Sequence, residues 1–336
     1  MENLLSLDLE KLEEYFIGIG EKKFKALQVF EWLYVHRITD IANFSNIKKE
    51  LREKLSNDFT TEFIKIKKVE KDALTRKYLF ELIDGECVEA VLMVHDYGIS
   101  VCVSSQVGCN MGCRFCESGR LKKVRDLQTY EMVEQILLIE QDYQKRIDSV
   151  VIMGIGEPFD NYDNVMRFIK IINHAKGLAI GARHITVSTC GIVPKIRKFS
   201  NFPLQVNLAL SLHAPNDQIR NQIMPISKAY KLDEVMNAIK DYISKTNRRV
   251  TIEYVMLDGV NDSDEQANQL VKLLRGMNVY VNLIPYNETK NIIYKKSTRV
   301  QEFKDKLLKS GINVTVRKEF GSNISAACGQ LRSKEV

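Results

Sequence analysis

Ser100-Val101-Cys102-Val103-Ser104-Ser105-Gln106-Val107-Gly108-Cys109-Asn110-Met111-Gly112-Cys113-Arg114-Phe115-Cys116 sets a short apolar run directly ahead of three closely spaced cysteines. Ser100–Ser104 has the length and composition of a buried strand, and runs of the same kind recur at Ser149–Met153, His184–Ser188, Val206–Leu212, Val250–Met256 and Val279–Pro285. Helical spacing fills the intervals, at Glu131 to Gln144, Tyr162 to His174, Asp217 to Met224, Leu232 to Ser244 and Asp264 to Leu274. Strands alternating with helices imply an α/β chain with a parallel sheet. Six such units fall short of the eight that close a full barrel, so the pattern predicts a partial (β/α)6 TIM-like barrel, with a doubly wound sheet as the competing topology. Ile312–Arg317 reads as one more strand. In either topology the chemistry gathers at the C-terminal ends of the strands.

Upstream, the first 60 residues read as short amphipathic helices, with apolar residues near helical spacing in Glu21 to Tyr34 and again in Ile47 to Leu55. From Phe63 to Val94 the pattern turns to β. Lys77–Leu82 and Cys87–Val94 flank Asp84-Gly85 and predict a hairpin that leads into the main domain. The expected division is a helical accessory domain with a β-hairpin extension over residues 1–90, and the barrel with its C-terminal segment over 91–336.

The chain has 336 residues, 45% of them hydrophobic, which suits a globular protein of about two domains. No stretch approaches the ~20 apolar residues of a membrane span, and the first residues are acidic where a secretory signal is basic. The expectation is a cytoplasmic protein without a membrane partner. Residues 1–95 hold 15 Lys and Arg against 18 Asp and Glu, whereas residues 96–336 hold 34 against 25, so the parts carry −3 and +9. The basic excess is dense around Arg114–Arg125 and from Lys290 to Lys318, which suits a polyanion and equally a solvated lysine-rich face.

Seven cysteines are an odd count in a chain large enough to bury a core, so a disulfide scaffold is not expected. Cys109, Cys113 and Cys116, spaced C-x3-C-x2-C, can hold three irons of a [4Fe–4S] cluster and leave the fourth iron open to a small ligand. S-adenosylmethionine (SAM) is such a ligand, through its amino and carboxylate groups. A zinc site with Cys102 or His95 as fourth ligand remains the alternative at this point. Polar residues recur at the later strand ends: Gly154-Ile155-Gly156-Glu157-Pro158, Ser188-Thr189, Ser211-Leu212-His213 and Asn287. Each alone reads as a turn; together on one rim they read as a ligand pocket, with Glu157 placed to accept a hydrogen bond from an ammonium group.

These motifs, with Cys102 ahead of the cluster motif and Cys328 in Ala326-Ala327-Cys328-Gly329-Gln330-Leu331, resemble the RlmN/Cfr family of radical-SAM RNA adenosine methyltransferases over about residues 20–331. The resemblance implies a radical-SAM barrel, one [4Fe–4S] cluster on Cys109, Cys113 and Cys116, and SAM contacts at Gly156, Glu157, Ser188, Ser211, Leu212, His213 and Asn287. It also implies that one SAM methylates Cys328 and that a second is cleaved at the cluster to activate the S-methyl group. The activated group adds to adenine, and Cys102 then attacks the sulfur of Cys328, forming a disulfide and releasing the methylated base. A radical route suits the substrate, because C2 and C8 of adenine are too poorly nucleophilic to attack a SAM methyl group directly. Glu89 matches the glutamate that the family assigns to proton removal from the base carbon; read without the family it is a surface carboxylate on a strand.

The implied partners are RNA, namely 23S rRNA with tRNA as a further target, and an external one-electron reductant; no obligatory protein partner is evident. C2 of adenosine is the expected target atom. C8 of the same rRNA adenosine, as in the antibiotic-resistance branch, is the alternative, followed by a radical-SAM enzyme on a non-RNA substrate and a zinc-stabilised nucleic-acid-binding protein. Departures from the family pattern fall at Glu117, Cys190, Glu288 and Asn323-Ile324-Ser325.

Overall fold

A computed structural model describes residues 1–289, 292–318, 321, 324, 326 and 329–331. The chain opens with a short strand, β1 (Glu2–Asn3), and three helices, α1 (Leu9–Gly18), α2 (Phe24–Tyr34) and α3 (Lys49–Asp58), before β2 (Phe59–Thr60) pairs parallel to β1. Asp8 caps α1 by accepting the Lys11 N–H at 3.0 Å, and α2 buries Val29, Phe30, Leu33 and Tyr34 on one face.

An antiparallel arm follows, β3 (Lys65–Asp72), β4 (Thr75–Glu81) and β5 (Cys87–His95), and β5 turns into β6 (Gly98–Val103). The hairpin is therefore joined to the barrel by strand pairing as well as by chain. A two-residue ribbon, β7 (Gln106–Val107) with β8 (Arg125–Asp126), frames the cysteine loop. The barrel units then run α4 (Thr129–Tyr143), β9 (Ser149–Ile152), α5 (Tyr162–Asn173), β10 (Ile185–Thr189), α6 (Val193–Phe199), β11 (Asn207–Ser211), α7 (Asp217–Ile223), α8 (Leu232–Thr246), β12 (Val250–Met256), α9 (Asp264–Leu274), β13 (Val279–Pro285), α10 (Val300–Lys309) and β14 (Val314–Val316).

One sheet holds ten of these strands in the order β14-β13-β12-β11-β10-β9-β6-β5-β4-β3. The strands from β6 through β9 to β14 are mutually parallel, and β14 and β3 are the two edges, so the barrel is open. Parallel strands are covered on both faces, which is why they are apolar almost throughout. The edge strand β3, Lys65-Ile66-Lys67-Lys68-Val69-Glu70-Lys71-Asp72, is charged instead, which discourages pairing with another sheet.

One apolar core runs from the N-terminal helices into the barrel. The junction is fixed by polar bonds onto α4: the Ile64 N–H donates to Glu134 Oε2 at 2.8 Å and the Tyr130 N–H to Ser6 Oγ at 3.3 Å. Among the described residues, no helix is long and apolar enough to cross a membrane.

Candidate active site

The rim at the C-terminal ends of the parallel strands encloses a cavity of about 180 Å³. Its wall includes Cys102, Cys109, Cys113, Cys116, Gly156, Glu157, Ser188, Ser211, His213 and Asn287. Of the site residues expected from the sequence, Leu212 and Glu89 do not line it, and Cys328 lies outside the described residues.

The cysteine loop is pinned at both ends. The Cys109 N–H donates to the Leu121 carbonyl at 3.1 Å, the Arg114 N–H to the Ile223 carbonyl at the end of α7 at 2.9 Å, and the Glu117 N–H to the Gly329 carbonyl at 2.8 Å. Burial pushes the Cys109 thiol up to about 12, and burial together with the neighbouring Cys116 and Cys109 thiols pushes Cys113 well above its ordinary range. Thiols so placed stay protonated until a cation arrives to hold them as thiolates. All three line one cavity, and three closely spaced cysteines are the donor set that an iron–sulfur cube takes at three of its corners.

Opposite the loop, the turn after β9 is held by two buried side chains from the segment after β6. Ser104 Oγ donates to the Glu89 carbonyl at 2.6 Å and accepts the Ile155 N–H at 2.9 Å. Gln106 Oε1 accepts the Glu157 N–H at 2.8 Å, while its amide nitrogen donates to Asp126 at 2.7 Å and Asp160 at 2.9 Å. Gly156 sits here at φ +109°, and a Cβ would come within 2.7 Å of Gln106 Cβ, so only glycine fits. Both oxygens of buried Glu157 are engaged, Oε1 by the Phe159 N–H at 3.0 Å and Oε2 by the Cys190 N–H at 2.8 Å. Burial raises its pKa against these bonds and those of the Cys190 and Thr189 side chains.

Ser188 and Ser211 touch through their hydroxyls at 3.2 Å. His213 follows at φ +56°, with Nδ1 accepting the Val255 N–H at 3.0 Å and the ring edge-on to Phe115 at 4.9 Å. Burial lowers its pKa to about 3, so the ring is neutral with its proton on Nε2, a donor and not a base. The Leu212 and His213 N–H groups both donate to the Glu253 carbonyl.

Cys102 completes the wall. It lies on β6 opposite Val91 of β5, which lies opposite Lys77 of β4, so the three side chains share one face. Glu89, two residues from Val91, is on the same face and is buried, not on the surface. Its carboxylate lies 3.3 Å from the Lys77 ammonium, which also pairs with Glu70 at 2.8 Å. Cys102, Val91, Met93 and Ile155 form a buried apolar cluster with Ala326 and Leu331, the described residues two before and three after Cys328. That segment is also tied to the cysteine loop, where Ser118 Oγ donates to the Leu331 carbonyl at 2.9 Å.

Of the departures, Glu117 is buried beside the cysteine loop, and Cys190 is a buried thiol on the cavity wall. Glu288 is exposed and accepts from Lys295 Nζ at 3.0 Å; Ser325 lies outside the described residues. Two positions that the motifs did not single out are Gln106, which mounts the Glu157 turn, and Arg220, which is completely buried behind the rim.

Comparison with known proteins matches two profiles to separate stretches of the chain. The radical SAM superfamily profile matches residues 103–271, and the profile of the ribosomal RNA large subunit methyltransferase N-terminal domain matches residues 2–60. "Probable dual-specificity RNA methyltransferase RlmN" of Thermoanaerobacter sp. (strain X514) is 52% identical over 99% of this chain and 98% of the relative. The protein of the same name from Enterococcus faecalis is 52% identical over 100% of this chain and 97% of its own. The crystal structure of a radical SAM methyltransferase from Sphaerobacter thermophilus superposes with a TM-score of 0.92 at 40% identity, over 99% of this chain and 100% of that one.

Proposed function

The chain belongs to the RlmN family of radical SAM RNA methyltransferases, enzymes that use a [4Fe–4S] cluster and SAM, and we propose that it methylates C2 of an adenosine in 23S rRNA and in tRNA by way of an S-methylated Cys328. The observation that carries this reading is the cluster of Cys102 with Ala326 and Leu331 on the wall that also bears Cys109, Cys113 and Cys116. A thiol brought against the flanks of Cys328 beside a three-cysteine loop suits a covalent relay between two cysteines. The relatives' name, which specifies dual specificity, supports a second RNA target.

When bound, the cluster and SAM supply the methyl group and the one-electron cleavage that activates an unreactive C–H bond. The chain's own residues bind and orient. Cys109, Cys113 and Cys116 hold the cluster. Glu157, fixed by two backbone donors, accepts from the ammonium of SAM, and that cation favours the ionised carboxylate. The Ser188 and Ser211 hydroxyls, His213 Nε2–H and Asn287 supply the remaining polar contacts around the ligand, with Leu212 holding the His213 turn. Glu89 takes the proton from the base carbon, its carboxylate kept in place by Lys77. Cys102 attacks the sulfur of Cys328 to release the product, leaving a disulfide that the external reductant must reopen. The basic excess of residues 96–336 provides the phosphate contacts, since the N-terminal part is net acidic.

The test is an anaerobic reaction of the cluster-reconstituted protein with SAM, a reductant and unmodified 23S rRNA or tRNA, followed by mass spectrometry of the released nucleosides. 2-Methyladenosine from both RNAs is expected. 8-Methyladenosine in its place overturns the assigned carbon, and neither nucleoside from a cluster-loaded protein overturns the RNA reading.

A further inference from the structure

Arg220, on α7, is completely buried, a state that arginine rarely adopts without a carboxylate partner. Among the described residues it forms no ion pair. Nη2 donates to the Cys190 carbonyl at 2.6 Å, Nε donates to the Leu212 carbonyl at 3.4 Å, and Nη1 is enclosed with no acceptor. Both carbonyls belong to residues that directly follow barrel strands, Cys190 after β10 and Leu212 after β11. The guanidinium therefore crosslinks two strand ends of the rim without a direct ion pair among the described residues; Asp217, one turn earlier on α7, is the carboxylate that acts on it without contact.

A further negative charge would have a place close by. The cysteine loop is bonded to the end of α7 through the Arg114 N–H and the Ile223 carbonyl, at 2.9 Å. Cys190, whose carbonyl Arg220 holds, packs in one apolar cluster with Cys113, Phe115 and Cys116 of the loop, so the guanidinium lies directly behind those thiols. Gly191, next to Cys190, lets the guanidinium pack close, since a Cβ there would lie 3.3 Å from Nη2. Three thiolates around an iron–sulfur cube sum to a net negative charge, which grows by one on reduction, and a fixed positive charge in a dry site stabilises that extra electron.

We propose that Arg220 is a positioning residue that sets the redox potential of the cluster: its buried charge stabilises the reduced cluster from behind Cys113, and its bonds to Cys190 and Leu212 fix the rim carrying Glu157 and His213. The inference rests on Cys109, Cys113 and Cys116 being the cluster ligands. In the step concerned, a low-potential one-electron donor is oxidised and the cluster gains that electron; Arg220 exchanges neither a proton nor a bond.

The test compares the full-length protein with Arg220→Gln, Arg220→Met and Arg220→Lys after reconstitution with iron and sulfide. Iron and sulfide content is measured first, and the midpoint potential is then taken from an electron paramagnetic resonance titration with dithionite. The two neutral variants are expected to load iron as the unaltered protein does and to show a potential more negative by at least about 59 mV, a tenfold loss in the reduced-to-oxidised ratio for one electron. Arg220→Lys, which keeps the charge, is expected to recover most of that loss. If Gln does not fold, Met, which leaves an apolar chain in the same space, is read the same way. Loaded neutral variants with an unmoved potential, or a Lys variant shifted as far as they are, overturn the role of Arg220. An unaltered protein that takes up no iron and sulfide overturns instead the ligand reading beneath it.

Discussion

The rim cavity and the joint between the N-terminal helices and the barrel each contain a buried glutamate, and the two are treated in opposite ways. Glu157 has a backbone donor on each oxygen and faces a cavity. Glu134, on α4, has the Ile64 N–H on one oxygen, and its other oxygen is sealed in packing without a partner. Burial pushes Glu134 up to about 9, so at neutral pH it is a protonated acid within the joint. Burial alone thus does not mark a functional carboxylate. What separates the two is preorganised hydrogen bonding combined with an open side toward a ligand.

The largest effect expected on this contrast comes from the cavity's thiols. Replacing Cys109, Cys113 or Cys116 by Ala should abolish iron uptake and methyl transfer together, while the melting temperature of the iron-free protein stays within a few degrees. Quantifying iron and sulfide beside a thermal melt checks this, and a variant that still loads a full cluster would remove that cysteine from the ligand set.

Next in size is Gly156→Ala, which forces a Cβ onto Gln106 at a left-handed φ. Strain of about 1–3 kcal/mol and a turnover loss on the order of 10²-fold are expected, because Glu157 is carried on the displaced turn. Denaturant unfolding and kcat measure the two parts. Glu157→Gln should raise the Kd for SAM about tenfold, or 1.4 kcal/mol, by removing the charge while keeping the size. Equilibrium dialysis on the loaded protein reads this; an unchanged Kd would make Glu157 a scaffold residue like Glu134.

Glu134→Gln gives the smallest effect on the cavity and the opposite signature, with SAM affinity unchanged and the pH dependence of stability altered. The folded-state pKa of Glu134 is raised from the ordinary 4.5 to about 9, so its favourable contribution is complete below the unfolded value and is lost as pH rises toward 9. The Gln variant lacks that loss, and its spare amide is buried without an acceptor. It should therefore be less stable than the parent below about pH 5 and more stable above about pH 8, by roughly 1–3 kcal/mol at each end. Parallel denaturation curves at both pH values would contradict the assignment.

The two regions also differ in how far they were legible in the sequence. β12 and β13 follow the apolar runs Val250–Met256 and Val279–Pro285 residue for residue, because a parallel strand covered on both faces reads as one continuous apolar stretch. The rim residues were legible for the same reason, as polar residues placed where such runs stop. The helix Val193–Phe199 gave no such signal, being two turns long with Pro194 in its first turn. The lysine-rich β3 falls within the stretch Phe63 to Val94 that reads as β, yet it is not legible there as a separate strand, because at an exposed edge it has no buried face to mark its bounds. Glu89, Glu134, Gln106 and Arg220 are charged or polar letters that a one-dimensional reading assigns to the surface. Their burial depends on partners remote in sequence, as Gln106 depends on Asp126, Glu157 and Asp160. The family resemblance supplied Glu89 and nothing for Gln106 or Arg220.

The measurement that bears most directly on the proposed two-cysteine relay is a single-turnover reaction of the Cys102→Ala protein, cluster-loaded, with SAM, reductant and labelled 23S rRNA, resolved on a denaturing gel. With the second thiol gone, the labelled RNA should migrate with the protein as a covalent adduct, and the further substitution Cys328→Ala should abolish the adduct. Free methylated RNA at the parental rate from the Cys102→Ala protein would contradict the account.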